Sequence, residues 1–227
     1  MKRDELKPTP TVEDYLSLLY VLDRDKKPIV GAHVADTLRV SPPTVTATLQ
    51  RMTRDGWLRT DARQRLMLTP QGRHEARSVV QRHMLSEWIL RSVLDVAWSD
   101  THAEAHRLEH GVSEDVAERM RALMEDPEVC PHGNPLPGHE LHAADWIALN
   151  QAPVGSRVVI RRVHELAEYD NELMKYLEQK GLLPGAPATV REASRANQTV
   201  TLDLGGAPVT LSARVAGQVF VELAAPS

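Results

Sequence analysis

VGAHVADTLRVSPPTVTATLQRMTRDGWL, from Val30 to Leu58, is the stretch that decides the fold. Val30 to Leu38 reads as a short helix, and Arg39-Val40 leaves only a tight connection. Ser41 is a good N-cap and proline fits a first turn, although Pro42-Pro43 is an unusual pair. The next helix runs to about Arg54, with Val45, Leu49 and Met52 facing inward, and Asp55-Gly56 ends it. Two short segments follow, Trp57 to Thr60 and Leu66 to Thr69, around a polar arginine-rich tip, the pattern of a β-hairpin. Upstream, Val12, Tyr15, Leu16, Leu19 and Leu22 stand at helical spacing until Lys26-Lys27-Pro28 breaks the run. Helix, helix, turn, helix, hairpin is the order of a winged helix-turn-helix.

That order gives the outer face of the Pro42 helix a task. Ser41, Thr44, Thr46, Ala47, Thr48 and Arg51 fall opposite its apolar stripe. Small hydroxyl side chains near a helix N-terminus suit phosphates and base edges in a major groove. Arg63 and Arg65 at the hairpin tip suit the backbone or the neighbouring minor groove.

The charge distribution supports this division of labour. The net charge of −4 over 227 residues would not by itself suggest a nucleic-acid binder. Between Arg51 and Arg82, however, eight arginines stand against three acids. Between His83 and Asp145, four arginines stand against thirteen acids, and seven of the ten histidines lie there. A basic stretch suits phosphates, and an acidic, histidine-rich one suits cations. The length suits two domains, or two plus a small module. The polar start, the lack of any long apolar run and the single cysteine, Cys130, read as a cytoplasmic protein without an intrachain disulfide or a membrane span.

Further along, Gly72 to Leu94 reads as a long amphipathic helix, Ser99 to His110 as a second and Ser113 to Met124 as a third. Together they suggest a helical dimerisation domain. Cys130 to Gly138 is a Pro/Gly turn. Beyond Asn150 the pattern turns β-like: 157–163, 188–192, 199–204, 209–211 and 219–223, interrupted by one helix from about Asp170 to Lys180. The expected fold is mainly α with a smaller β module. The expected domains are a winged helix-turn-helix over 1–72, a helical metal-binding and dimerisation domain over 73–145, and an SH3-like β-barrel over 150–227.

The middle helices carry the chemistry. His83 and Glu87 lie four apart and share a helix face, and His102, His106, Glu109 and His110 form a second stripe. Imidazoles and carboxylates stand there where a core helix would normally be apolar. Burying them without partners is costly, and a divalent ion satisfies them together. Cys130 with His132, His139 and His142 raises a zinc site, but the spacing matches no closed tetrahedral motif, so Cys130 reads as buried packing. Tyr15, Leu16 and Leu19 read as core.

The segments DTLRVSPPTVTATLQRMTRDGWL, LTPQGR, His83-x-x-x-Glu87, HAEAHRLEH and HGNPLPG resemble the diphtheria toxin repressor family of iron- and manganese-dependent regulators. The resemblance covers essentially the whole chain, including a C-terminal SH3-like module. It implies a homodimer that binds palindromic operator DNA, with about two metal ions per subunit. One ion would be held by His83, Glu87 and His102 with a third-domain carboxylate, Asp170 by position or its neighbour Glu172. The other would be held by Asp14, His106, Glu109 and His110. DNA contacts would fall on Ser41, Pro43, Thr44, Thr46 and Ala47.

This chain departs from the family at several of these positions. Iron-type members carry methionine in place of Asp14 and cysteine in place of His106, whereas manganese-type members carry carboxylates at the positions of Ser17 and His106. Asp14 therefore leans to the manganese type, while Ser17 and His106 break that pattern. Donors without sulfur favour Mn²⁺ or Fe²⁺ by ligand type. Ala47 replaces a polar side chain, so operator preference does not carry over. The expected function is a metal-dependent regulator, a Mn²⁺-activated repressor of metal-uptake genes, with Fe²⁺ as the alternative effector. Two rival classes stand beside it. A metal-dependent hydrolase would need an open coordination position and a substrate cleft, and nothing in the sequence marks either. A metal-independent DNA binder would ignore chelation.

Overall fold

The computed structural model describes residues 7–63 and 65–224. The chain divides into two compact units, and the divisions fall inside helices: one unit is 1–83 with 108–117, the other 84–107 with 118–227.

In the first unit, α1 (Pro10–Arg24) buries Val12, Tyr15, Leu16, Leu19 and Leu22. Its other face leaves Glu13, Asp14 and Ser17 at the edge of the core. Next come α2 (Gly31–Leu38) and α3 (Pro42–Arg54). The tight turn between them is made by Arg39 in the left-handed region, at φ +54°. The strands β1 (Leu58–Thr60) and β2 (Leu66–Leu68) pair antiparallel, Leu58 opposite Leu68. The expected winged helix-turn-helix order is therefore present.

The LTPQGR motif has a packing reason. Thr69 Oγ1 donates to the Gly56 carbonyl at 2.7 Å and accepts from the Gly72 amide at 3.0 Å. A Cβ on Gly72 would lie 2.0 Å from the Trp57 carbonyl oxygen, so only glycine lets α4 (Pro70–Ser92) start so close to the hairpin.

The long helix expected from Gly72 to Leu94 is α4. The second is a 3₁₀ turn (Trp98–Asp100), then α5 (Thr101–Leu108) and a further 3₁₀ turn (Glu109–Gly111). The third is α6 (Glu114–Leu123).

In the second unit a six-stranded antiparallel sheet is built from β3 (Ile147–Ala148), β4 (Arg157–Val163), β5 (Pro187–Ser194), β6 (Thr199–Leu204), β7 (Ala207–Ser212) and β8 (Val219–Leu223). Its strand order is β3-β8-β4-β5-β6-β7. The inner faces alternate as strands should, and Val158, Ile160, Val190, Leu202, Leu211 and Val221 form one core with Trp98, Met174 and Leu177. The sequence reading missed three short elements here: β3, α7 (Glu165–Glu168) and α9 (Ala213–Ala216). The helix α8 (Asn171–Gln179) was expected. Among the described residues no helix is long and apolar enough to cross a membrane.

Candidate functional site

On α3, Ser41 caps the helix by accepting from the Thr44 amide at 3.3 Å, and its hydroxyl meets that of Thr44 at 2.8 Å. Thr46 returns its hydroxyl to the Pro42 carbonyl at 3.1 Å. Ser41, Pro43, Thr44, Thr46, Ala47 and Arg51 are exposed together. Thr48, expected on that face, is instead buried at 8% exposure, because it sits one position before Leu49 on the turn that meets the core.

The hairpin tip is organised by Asp61. Its carboxylate accepts from the amides of Arg63 and Arg65 and from the Arg65 guanidinium, each at 2.8 Å. The Arg65 and Arg63 amides and the Arg65 guanidinium together outweigh desolvation and hold the Asp61 carboxyl below its ordinary range. Arg63 and Arg65 are both exposed, but Arg65 is already tied to Asp61.

A first group of donors lies in the first unit, where Asp14, Glu109 and His110 each offer an atom within 4.8 Å of the others. His110 Nε2 stands 3.1 Å from Asp14 Oδ1 and 3.7 Å from Glu109 Oε1. Its Nδ1 stands 2.6 Å from Glu13 Oε2. The other oxygen of Glu13 holds Arg82 at 2.7 Å, and Arg82 donates to the Glu109 carbonyl at 3.1 Å. His83 Nδ1 meets Glu109 Oε2 at 2.5 Å. His106, four positions before His110, stands in the last turn of α5. Glu13 and Arg82 did not emerge from the sequence reading. Their signal was position alone: Glu13 adjoins Asp14, and Arg82 adjoins His83.

A second group lies in the second unit, where Glu87, His102 and Glu168 each offer an atom within 4.8 Å of the others. His83 lies one turn before Glu87 on α4. His102 Nδ1 is 2.8 Å from Glu168 Oε2 and 3.5 Å from Glu87 Oε1. Here the expected third-domain carboxylate is corrected. Asp170 is the exposed N-cap of α8, its Oδ1 accepting from the Leu173 amide at 3.1 Å, and Glu172 is exposed in the first turn of that helix. Glu168, at the end of the four-residue α7, takes the place beside His102.

The HGNPLPG turn holds that carboxylate. Asn134 donates to Glu168 Oε1 at 2.5 Å and to the Val163 carbonyl at 2.8 Å. The His132 carbonyl accepts from the Val163 amide at 2.9 Å. Gly133, at φ +85°, presses on β4 so closely that a Cβ would fall 1.9 Å from the Arg161 carbonyl oxygen.

His132 itself is fully buried, with Nδ1 3.1 Å from Glu87 Oε1 and 3.6 Å from Glu168 Oε1. Burial works against its charge, but Glu168, Glu87 and the Trp98 carbonyl outweigh that and raise the imidazole to about 9. Burial, reinforced by the charges of Glu87 and Glu168, pushes the Cys130 thiol well above its ordinary range. His139 and His142 lie elsewhere, beside Glu128 at 4.0 and 3.0 Å, so the four-residue Cys130/His132/His139/His142 zinc arrangement is not assembled.

Carboxylates this buried and this close repel one another unless positive charge stands between them. Oxygen and imidazole donors in such sets fit a hard or borderline divalent cation. Both groups pass that test on donor chemistry.

Three family models match. The N-terminal DNA-binding domain of iron-dependent repressors covers residues 7–66, their metal-binding and dimerisation domain covers 69–138, and the FeoA domain covers 147–223. The iron-dependent repressor IdeR of Mycobacterium leprae is 37% identical over 93% of this chain and 96% of its own length. The diphtheria toxin repressor of Corynebacterium glutamicum is 30% identical over the same shares of the two chains. The structure of the manganese regulator SloR superposes with a TM-score of 0.79 at 27% identity, over 96% of this chain and all of that one. The chain belongs to the diphtheria toxin repressor family.

Proposed function

We propose that this chain is a cytoplasmic, metal-activated repressor that binds palindromic operator DNA as a homodimer and regulates metal-uptake genes. The observation that carries the reading is the facing of Asp14 on α1 and the Glu109–His110 pair, 3.1 Å apart at their nearest. These residues are far apart in sequence, and their side chains leave oxygen and nitrogen donors turned to one point. The matches to a repressor DNA-binding domain and to a metal-binding and dimerisation domain support the assignment. Exposed Val116 and Leu123 give α6 an apolar edge of the kind a partner subunit covers.

Two ligand sets follow. Asp14, Glu109 and His110, with His106, take one cation; Glu87, His102 and Glu168, with His83, take another. A bound divalent ion supplies positive charge that both α1 and the 109–110 turn can share. The residues do the rest. Asp14 from α1 and Glu109 and His110 from the turn would hold the ion together, and α1 would thereby be held against the turn. With α1 fixed, the exposed face of α3 is fixed too. Two such faces in a dimer must match major grooves about 34 Å apart. The sets at Asp14 and His106 carry no sulfur, which suits Mn²⁺ first and Fe²⁺ as the alternative effector. No catalytic role is assigned to either set.

The test is DNA binding of the full chain against a promoter library with Mn²⁺, Fe²⁺, Zn²⁺ or chelator. Metal should tighten binding about a hundredfold, a coupling of roughly 3 kcal/mol. Asp14→Ala should fold and lose that stimulation. Equal binding with metal and with chelator would overturn the reading, and unchanged stimulation in Asp14→Ala would remove the hinge role of α1.

A further inference from the structure

Glu128, His139 and His142 lie in the second unit and belong to neither ligand set proposed above. His142 Nδ1 stands 3.0 Å from Glu128 Oε2, and His139 Nδ1 stands 4.0 Å from Glu128 Oε1. One carboxylate thus faces two imidazoles, one at each oxygen. Three features mark the group as more than a surface ion pair.

The first is spacing. His139 is the N-cap of a 3₁₀ turn (Glu140–Ala143), and the His142 amide donates to the His139 carbonyl at 2.9 Å. Side chains three apart on such a turn eclipse one another, so the two imidazoles stand on one side of the chain.

The second is a fixed stem. The Glu128 carbonyl accepts from the Leu136 amide, and the Leu136 carbonyl accepts from the His139 amide, each at 2.9 Å. Leu136 is fully buried, so the backbones that carry the carboxylate and the imidazoles share one anchor. Val129, next to Glu128, pairs with Pro135, and its carbonyl accepts from Trp88 Nε1 at 2.7 Å. Little conformational entropy is left to lose when the three side chains close on a ligand.

The third is access. The side chains of His139, His142 and Glu128 keep 30%, 47% and 55% exposure. An ion reaches them without any opening of the fold, and water can complete its shell.

We propose that Glu128, His139 and His142 form a surface position for a divalent transition ion of the Zn²⁺ and Ni²⁺ class, held by two imidazoles, one carboxylate and water. Zinc bonds to nitrogen and oxygen of about 2.0–2.2 Å place neighbouring ligand atoms roughly 3.3 Å apart. The His142–Glu128 pair is already that close. His139 has to approach by less than about an ångström, a small rotation for an exposed ring. On binding, each imidazole gives the ion a ring lone pair, and any proton held on that nitrogen leaves to solvent. Two imidazoles to one carboxylate favour Zn²⁺ and Ni²⁺ over Mn²⁺, which prefers oxygen donors and stands lowest in the affinity order. An ion here clamps the 3₁₀ turn, which leads into β3, onto the stem.

Ni²⁺ alone is the probe, and the chain carries a reporter beside the position. The rings of His142 and Trp146 meet edge to face, centroids 5.5 Å apart, so Ni²⁺ on His142 quenches Trp146 fluorescence. Calorimetric titration of the full-length protein should show one Ni²⁺ per chain that His142→Ala lacks, together with a quenching component that disappears with it. Trp146→Phe should keep that ion and lose that component. His139→Ala and Glu128→Gln should each weaken the ion's binding about tenfold or more. Excess Mn²⁺ should not displace it. The substituted positions are exposed, and circular dichroism checks that each variant folds. Equal Ni²⁺ stoichiometry and affinity in wild type and His142→Ala overturns the proposal. So does unaltered affinity in His139→Ala, or a His142-dependent quench that survives Trp146→Phe. Mn²⁺-stimulated DNA binding should be the same in His142→Ala as in wild type; its loss there would put His142 in the sensor and overturn a separate position.

Discussion

The group at α1 and the group under the HGNPLPG turn use the same side chains in opposite surroundings. At α1 the side chains of Asp14 and His110 keep 26% and 21% exposure and Glu13 keeps 13%, with Glu109 alone buried at 2%. Under the turn Glu87, Glu168 and the neighbouring His132 keep 1%, 2% and 0%, and His102 keeps 11%. Partial exposure lets an ion enter and leave, and lets α1 move when it does. Full burial makes every unpaired charge costly and ties the donors to the packing of the sheet. The first arrangement suits a reversible signal and the second suits a lasting structural or selective role. The same chemistry is thus made responsive or fixed by what surrounds it.

The strongest way to break the comparison is Gly133→Ala. The new methyl cannot fit beside the Arg161 carbonyl, and φ +85° is unfavourable for any residue with a Cβ. The turn must shift, carrying His132 and Asn134 with it. Thermal or denaturant unfolding should show a loss of about 3 kcal/mol or more. A near-neutral result would mean the turn is not the rigid element described here.

A matched pair of isosteric changes sharpens it. Glu87→Gln removes a fully buried charge that faces both His102 and His132, and in metal-free protein should cost about 3 kcal/mol. Asp14→Asn acts on a side chain that keeps access to water, and should cost less than about 1 kcal/mol. The DNA-binding consequences should run the other way, with Asp14→Asn the more damaging. Equal destabilisation by the two would show that burial does not distinguish the groups.

The same contrast explains what the sequence could reveal. Periodicity and capping made the winged helix-turn-helix legible, because Val45, Leu49, Met52 and Ser41 act within one helix. The strands of the C-terminal sheet were legible because alternation is local too; β4, β6 and β8 match their expected spans. Histidine and carboxylate stripes on α4 and α5 marked the middle of the chain as a place for cations. Glu168 was not legible: α7 is only four residues long, too short for any helical period, and its carboxylate is aimed by Asn134, 34 positions earlier. Asp170 drew the expectation as the positional match that the family resemblance offered, and heading α8 is what occupies it. His132 and Cys130 were visible as residue types, but their partner Glu87 comes from a helix over forty positions away. Local rules found the elements, and the donors that escaped are those brought together by tertiary contact.

The smallest expected effect concerns the hairpin tip, which lies far from either donor group in sequence and offers a control for both. Asp61 gathers the amides of Arg63 and Arg65 and fixes the Arg65 guanidinium. Those bonds favour the charged carboxylate, so its folded value lies below the ordinary one. The sign follows: the tip is fully organised above the ordinary aspartate range and loosens only as pH falls through the lowered value. A carboxyl titration followed by NMR should place the Asp61 midpoint below that of a model aspartate. Asp61→Asn keeps an acceptor oxygen but loses the charge, frees Arg65 and should leave global stability nearly unchanged. If Arg65 works on DNA from its bond to Asp61, affinity should fall modestly and equally with Mn²⁺ present or absent. If it must first leave Asp61, affinity should rise. A change that appeared only with metal would instead connect the tip to the donor groups, and the two halves of the comparison could no longer be treated apart from it.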